Sequence, residues 1–380
     1  MAAPLSRGTC PEAGLDADEI GLIVPELSTT LDAAPSGHPW CAGAVVLAGR
    51  GHVVALHEAV GWAVRYRAYD EPAGRGVELP AAERVPMRPG TVFDLASLTK
   101  LFTAVAAVQQ ILAGTLDPDR PLTAYVPGLA PGLTLRHLLT HTSGLQPELP
   151  LYELPGPAER AARLAAEQPR TPPGERRCYS DLNLLLTQTV LEQVTGRPLD
   201  RLVADGITTP LGMTATRFAP PPSWLPRTAA TEDQRRPWGK LDRGMVRGTV
   251  HDENAYAMGG VAGHAGLFST AWDLALFATA LLDGTLPLEP GLGFERDQPW
   301  FMGALAGRGA LGHTGFTGTS LVLDPSSGAY LVLLANTVHP VRHTQGSAPR
   351  AAAATRLARA LLPTRRPGPG QRKMPVWPRE

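Results

Sequence analysis

The sequence predicts an α/β domain joined to an all-α one: an antiparallel sheet flanked by helices, with a helical domain inserted between its two halves. Three observations carry this. Apolar, β-branched runs at 41–48 and 52–56 are separated by Gly49, Arg50 and Gly51, which reads as a hairpin. Far along the chain, runs at 320–323 and 330–334 flank a turn-forming stretch containing Asp324, Pro325 and Gly328, a second hairpin. Between the two, apolar residues recur mostly at helical spacing, so both ends of the chain close one sheet around a helical middle.

Taken in order, residues 1–18 read as a loose N-terminus. Residues 19–104 and 256–362 form the discontinuous α/β domain, 105–255 the helical domain, and 363–380 a disordered tail rich in proline, glycine and arginine. The clearest helix starts at Ser97, where Leu101, Val105, Val108 and Leu112 share one face before Gly114 and Pro118 stop it. Residues 182–194, ended by Gly196 and Pro198, and 272–282 read as further helices, and 219–226 as a proline-rich loop. No internal repeat is visible.

With 380 residues, 43% hydrophobic and 18% charged, the chain can bury a substantial core. Its formal charge is zero, so no overall field draws it to nucleic acid or an anionic membrane, and a small-molecule or peptide substrate is the expected partner. Oligomeric state stays open. Lys100, Lys240 and Lys373 are the only lysines, so a lysine required by mechanism is one of these. Cys10, Cys41 and Cys178 are odd in number and lack metal-ligand spacing, which argues for free thiols. No signal-like apolar core precedes residue 22, which favours the cytoplasm, and no stretch reaches the roughly 18 to 20 apolar residues of a spanning helix.

Chemistry concentrates in three places. Ser97 stands at a helix start with Lys100 three residues on and on the same face, a nucleophile beside a possible base. Alone, this pattern equally describes an N-cap serine and a solvated lysine. Two further motifs change the balance: Cys178-Tyr179-Ser180-Asp181 opens a second helix, and Leu311-Gly312-His313-Thr314-Gly315-Phe316 precedes the last hairpin.

In that order the motifs resemble the penicillin-recognising serine hydrolases: class C β-lactamases, D,D-peptidases, D-amino-acid peptidases and related esterases. The resemblance runs from about Gly43 to about Leu362 and includes 137–145 and 210–213. It implies a β-lactamase/penicillin-binding-protein-like fold and hydrolysis through an acyl-enzyme. The substrate would be an ester, a D-amino-acid peptide or a muropeptide amide, and no cofactor is needed. It makes Ser97 the nucleophile, Lys100 its partner and Tyr179 the proton relay, and it puts the oxyanion hole at the backbone N–H groups of Ser97 and Phe316. Which of Lys100 and Tyr179 is the base stays open; burial would lower the lysine and the lysine's charge would lower the tyrosine. Asp181, His313, Thr314, Gly315 and Asn336 are the implied substrate-binding residues, Gly315 allowing substrate backbone to approach and Asn336 serving equally well as a strand cap.

Two departures point away from β-lactams. His313 replaces a lysine that holds the substrate carboxylate, and Asp181 replaces an asparagine, favouring a charged Lys100 and moving the base role toward Tyr179. Residues 250–255 and 259–270 resemble a branch associated with muropeptide turnover. His137, His141, His251, Asp252 and His264 lack the spacing of a metal set, so no metal is expected, and His141 and His264 are expected to bond loop backbones. An acyltransferase and a penicillin-binding sensor that acylates and stalls are the competing readings.

Overall fold

Side chains alternate along the central strands because successive Cβ atoms point to opposite faces. Val45 and Leu47 belong to one apolar core, and Ala44, Val46 and Ala48 to another. The same alternation divides Tyr330, Val332 and Leu334 from Leu331, Leu333 and Ala335. The sheet is therefore covered on both faces, as a computed structural model describing residues 4–32, 38–342 and 346–361 shows.

Numbering the strands of this sheet alone, β1 is Ser6–Arg7, β2 Gly43–Arg50, β3 Val53–Val64, β4 Val85–Pro86, β5 Glu295–Arg296, β6 Leu311–Thr314, β7 Ser320–Asp324 and β8 Ala329–Ala335. Their order is β1-β3-β2-β8-β7-β6-β5, with β4 pairing with β3. Both expected hairpins form, and β8 pairs with β2 from Ala329 opposite Arg50 to Ala335 opposite Ala44, so the two halves of the chain meet in mid-sheet. The sheet is mixed, since β1 runs parallel to β3. Helix Ala271–Leu282 covers one face; Ala17–Gly21, Ile23–Ser28 and Ala348–Ala360 cover the other.

Three boundaries differ from expectation. The N-terminus is not loose from residue 4 on: β1 joins the sheet, and Leu15, Ile20 and Ile23 are buried against the last helix. Apolar residues too scattered to read as an element find their partner more than 300 positions away. The expected cut at 104/105 falls inside the unbroken helix Thr99–Leu112, whose Phe102 stacks on Phe277 with ring centroids 4.2 Å apart. One apolar core runs on from the sheet through this helix to Asp181–Thr195. Within 105–255, strands Ala230–Gln234 and Gly244–Arg247 pair, so that region is not all helical. The tail at 363–380 lies outside the described residues.

Candidate active site

A 3-10 turn, Ala96–Leu98, leads into helix Thr99–Leu112 and carries Ser97. Ala96 has φ +46°, a left-handed conformation that a non-glycine residue adopts only when its surroundings enforce it. Asp94 does so. Its buried carboxylate accepts from the amides of Ala96 at 2.9 Å and His251 at 2.6 Å, while burial pushes its pKa up against these two bonds. The loop after β6 holds the same turn, Thr317 Oγ1 donating to the Asp94 carbonyl at 2.8 Å and Thr319 Oγ1 to that of Leu95 at 3.0 Å. The signal for Asp94 was a carboxylate three residues before the serine, and sequence reasoning gave it no role.

Lys100 is 1% exposed, and its Nζ donates to Ser97 Oγ at 2.7 Å and to the His264 carbonyl at 3.3 Å. It also meets Asp181 Oδ1 at 2.8 Å. Burial works against its charge, but the Asp181 carboxylate and the Tyr179 phenol overcome that and hold Lys100 above the ordinary lysine range. Tyr179, just before helix Asp181–Thr195, donates from its hydroxyl to Ser97 Oγ at 3.0 Å. Although 38% of the residue is exposed, its hydroxyl is enclosed, and burial pushes its pKa up more than Lys100 pulls it down. The expectation of a lowered Tyr179 is thus reversed, and so is that of a lowered Lys100; the resting pair is ammonium and neutral phenol.

The Tyr179 ring lies between two imidazoles, 4.7 Å from His141 and 5.9 Å from His313. His141 Nδ1 accepts from the Ser180 amide at 3.2 Å and from Asn183 Nδ2 at 2.9 Å, and burial takes its pKa down to about 3. It therefore bonds the start of the Tyr179 helix. His313 is 4% exposed, with Nδ1 donating to the Thr314 carbonyl at 2.6 Å. Burial and then the Lys100 charge push it to about 3, so it is a neutral ring, not a cation held toward substrate.

Two more expected substrate contacts are corrected. A Cβ on Gly315 would lie 2.1 Å from Thr319 Oγ1 and 2.4 Å from the Leu95 carbonyl, so the glycine lets the chain approach its own serine turn rather than a substrate. Asn336 is 1% exposed; it accepts from the Gly43 amide at 2.9 Å and donates to the carbonyls of Trp62 at 3.2 Å and Ala63 at 3.3 Å. It ties β8 to β2 and β3, with both amide hydrogens spent on backbone carbonyls. Thr314, half-buried, ends β6. Among the described residues, no hydrogen bond from the Ser97 or Phe316 amide is found.

Ser97, Tyr179, Asp181 and Phe316 line a cavity of about 190 Å³, together with Glu148, Lys240 and Arg342. A roomier groove of about 710 Å³ lies elsewhere, but its walls carry no serine, cysteine or lysine, so chemistry favours the smaller one. Behind Phe316, Arg342 pairs with Glu232 at 2.7 Å and with Glu253, and Glu232 holds His251 Nε2 at 2.8 Å. His264 bonds no loop backbone through its ring; Nε2 meets Asp252 Oδ1 at 2.9 Å. Asp181, Asp252 and His264 bring one donor atom each within 4.8 Å of one another, a convergence invisible in sequence spacing. Lys100 already sits on one of these carboxylates and an imidazole on the other, so both carboxylates have partners within the chain itself.

The family model described as Beta-lactamase matches residues 35–356. The chain belongs to the β-lactamase family. Its fold and its standing as a serine hydrolase of this family follow from that match and from curated relatives. A "Putative D-alanyl-D-alanine carboxypeptidase" of Escherichia coli K12 is 34% identical over 67% of this chain and 71% of its own. An N-acetylmuramyl-L-alanine amidase of Bacillus subtilis is 30% identical over 67% and 69%. Among solved structures, a class C β-lactamase from Rhodobacter sphaeroides matches with TM-score 0.63 and 20% identity, over 88% of this chain and 98% of its own. EstCE1, a hydrolase with promiscuous acyltransferase activity, matches with TM-score 0.64 and 20% identity, over 90% and 98%. At such identities these neighbours speak for the β-lactamase-like fold alone. Among the described residues, no helix is long and apolar enough to cross a membrane.

Proposed function

We propose that Ser97 is the nucleophile of an acyl-enzyme cycle acting on peptide-like amides or esters, with cell-wall peptides as the natural class. The observation that carries this is Ser97 Oγ, held at once by Lys100 Nζ at 2.7 Å and Tyr179 Oη at 3.0 Å on a cavity wall. Tyr179 is the base. It first loses its own proton to solvent; the phenolate then takes the Ser97 proton as Oγ bonds to the carbonyl carbon, with Lys100 remaining an ammonium. Charge on the carbonyl oxygen goes to the backbone N–H groups of Ser97 and Phe316. The tetrahedral species collapses, the leaving group departs with the proton from Tyr179, and water repeats the sequence on the acyl ester.

The relatives' names, a carboxypeptidase and a muramyl-alanine amidase, support the cell-wall class. A neutral His313 offers no full charge to a β-lactam carboxylate, which supports weak or no β-lactamase activity. The test has two parts. A fluorophosphonate should label Ser97, mapped by mass spectrometry, and an adduct on another serine refutes the assignment. Lys100→Ala and Tyr179→Phe should each lower turnover about 100-fold or more without adding up, because both act on one proton path. In a panel of muropeptides, D-alanyl anilides, nitrophenyl esters and a chromogenic cephalosporin, the cephalosporin should be the poorest substrate. Efficient cephalosporin turnover with negligible ester cleavage overturns the substrate assignment.

A further inference from the structure

The acyl-enzyme cycle gives no task to Asp252 and His264, two neighbouring groups beside Lys100. Asp252 caps helix Glu253–Ala257, accepting from the Ala255 amide at 2.8 Å, and the same oxygen meets His264 Nε2 at 2.9 Å. His264 is 1% exposed, and its carbonyl receives Lys100 Nζ at 3.3 Å. Because the donor atoms of Asp181, Asp252 and His264 all lie within 4.8 Å of one another, two carboxylates stand side by side next to the Ser97 machinery. Neighbouring carboxylates in an enclosed site stay ionised together only if each has a cation. Lys100 serves Asp181, which leaves Asp252 to His264.

We propose that His264 is protonated in the working enzyme and that the Asp252–His264 pair is a positioning ion pair, balancing the charge around Lys100, Asp181 and Tyr179. This rests on the acyl-enzyme reading of Ser97. The charged groups facing His264 are Asp252 at the start of Glu253–Ala257, Asp181 at the start of Asp181–Thr195, and Lys100 on Thr99–Leu112. Burial and the lysine act to strip its proton, but the two carboxylates outweigh them and hold it above the usual histidine range. Asp252 is correspondingly held below the usual carboxylate range, against burial. Without the histidine's charge the cluster carries one net negative charge. Both the Tyr179 phenolate and the oxyanion then become costlier to form, so the loss falls on kcat and not on the KM of a neutral ester.

A charge cycle tests this with the full chain and a neutral nitrophenyl ester. His264→Gln keeps a donor for Asp252 but no charge, and kcat should fall at least about tenfold, the effect of one pKa unit on the phenolate fraction. Asp252→Asn removes the anion and still caps its helix, so its kcat should fall less than that of His264→Gln. The double variant, again balanced, should recover to within about threefold of wild type, a coupling that only an interacting pair produces. A double variant as slow as His264→Gln, or slower, overturns the ion pair, because a merely structural role gives losses that accumulate. Should His264→Gln fail to fold, the imidazole resonances of His264 in the wild type, assigned against the double variant, decide: protonated at pH 7 supports the pair, neutral overturns it. Fluorophosphonate labelling separates the two failures. A wild type that does not label at Ser97 sinks the acyl-enzyme reading, whereas normal labelling without rescue sinks only the ion pair.

Discussion

Replacing Asp181 by asparagine keeps the shape of the side chain and removes the charge beside Lys100, and the cost can be worked from their separation. At 2.8 Å, two unit charges attract by about 6 kcal/mol at an effective dielectric of about 20. Asp181 is 24% exposed where Lys100 is 1%, and Ser97 Oγ and the His264 carbonyl still accept from the ammonium. Halving the figure for that screening and compensation leaves about 3 kcal/mol, or roughly two pKa units. That loss falls on Lys100; the Asp181 charge also pushes Tyr179 up, so without it the phenolate forms more easily. In the wild type, where Tyr179 is pushed up, kcat/KM should climb with pH well into the alkaline range. In Asp181→Asn the rising limb should move toward acid. The assay is the pH dependence of kcat/KM for a neutral nitrophenyl ester between about pH 6 and 10.5, with spontaneous hydrolysis subtracted. A limb that stays in place, or moves toward alkali, refutes the reasoning.

The same variant has a stability signature. Lys100 is raised from 10.5, so its contribution is complete below that pH and lost as pH rises through the higher folded value. Asp181 is lowered from 3.8, so its contribution is complete above that pH and lost as pH falls through the lower folded value. The Tm difference between wild type and variant should therefore be flat between about pH 4 and 10 and close outside that window.

The remaining predictions concern His313 and Asn336. With His313 held to about 3, lowering the pH from 8 to 6 should leave the kcat/KM ratio of a carboxylate-bearing substrate to a neutral ester unchanged within about twofold; a steep rise toward pH 6 would show that the ring does charge. Asn336→Ala strands the Gly43 amide and the carbonyls of Trp62 and Ala63, so denaturant melts should show a loss of about 3 kcal/mol. Its kcat per labelled active site should match wild type, and a selective loss of turnover would restore Asn336 to the substrate cleft.

What the sequence by itself determined are the features written in local pattern. The two hairpins and the helices near 97–112, 182–194 and 272–282 follow from periodicity and from glycine and proline stops, and they form at those places. Ser97, Lys100 and Tyr179 were legible because two of them share one helix face and the third opens another helix, in an order shared with a known family. Tertiary structure decided everything that depends on distance in space. Asp252 and His264, twelve positions apart, meet Asp181 from a third segment, and no spacing rule announces that. Burial reversed the expectation that Lys100 would lower Tyr179, which it raises instead, and it deepened another by holding His313 neutral far below the usual histidine range. Asn336 and Gly315 looked like substrate contacts by position, yet one is consumed by backbone and the other by the approach of the chain to its own serine turn. The physical reason is common to all four. Periodicity is a property of neighbours along the chain, whereas desolvation, ion pairing and close approach depend on which distant segments the fold packs together.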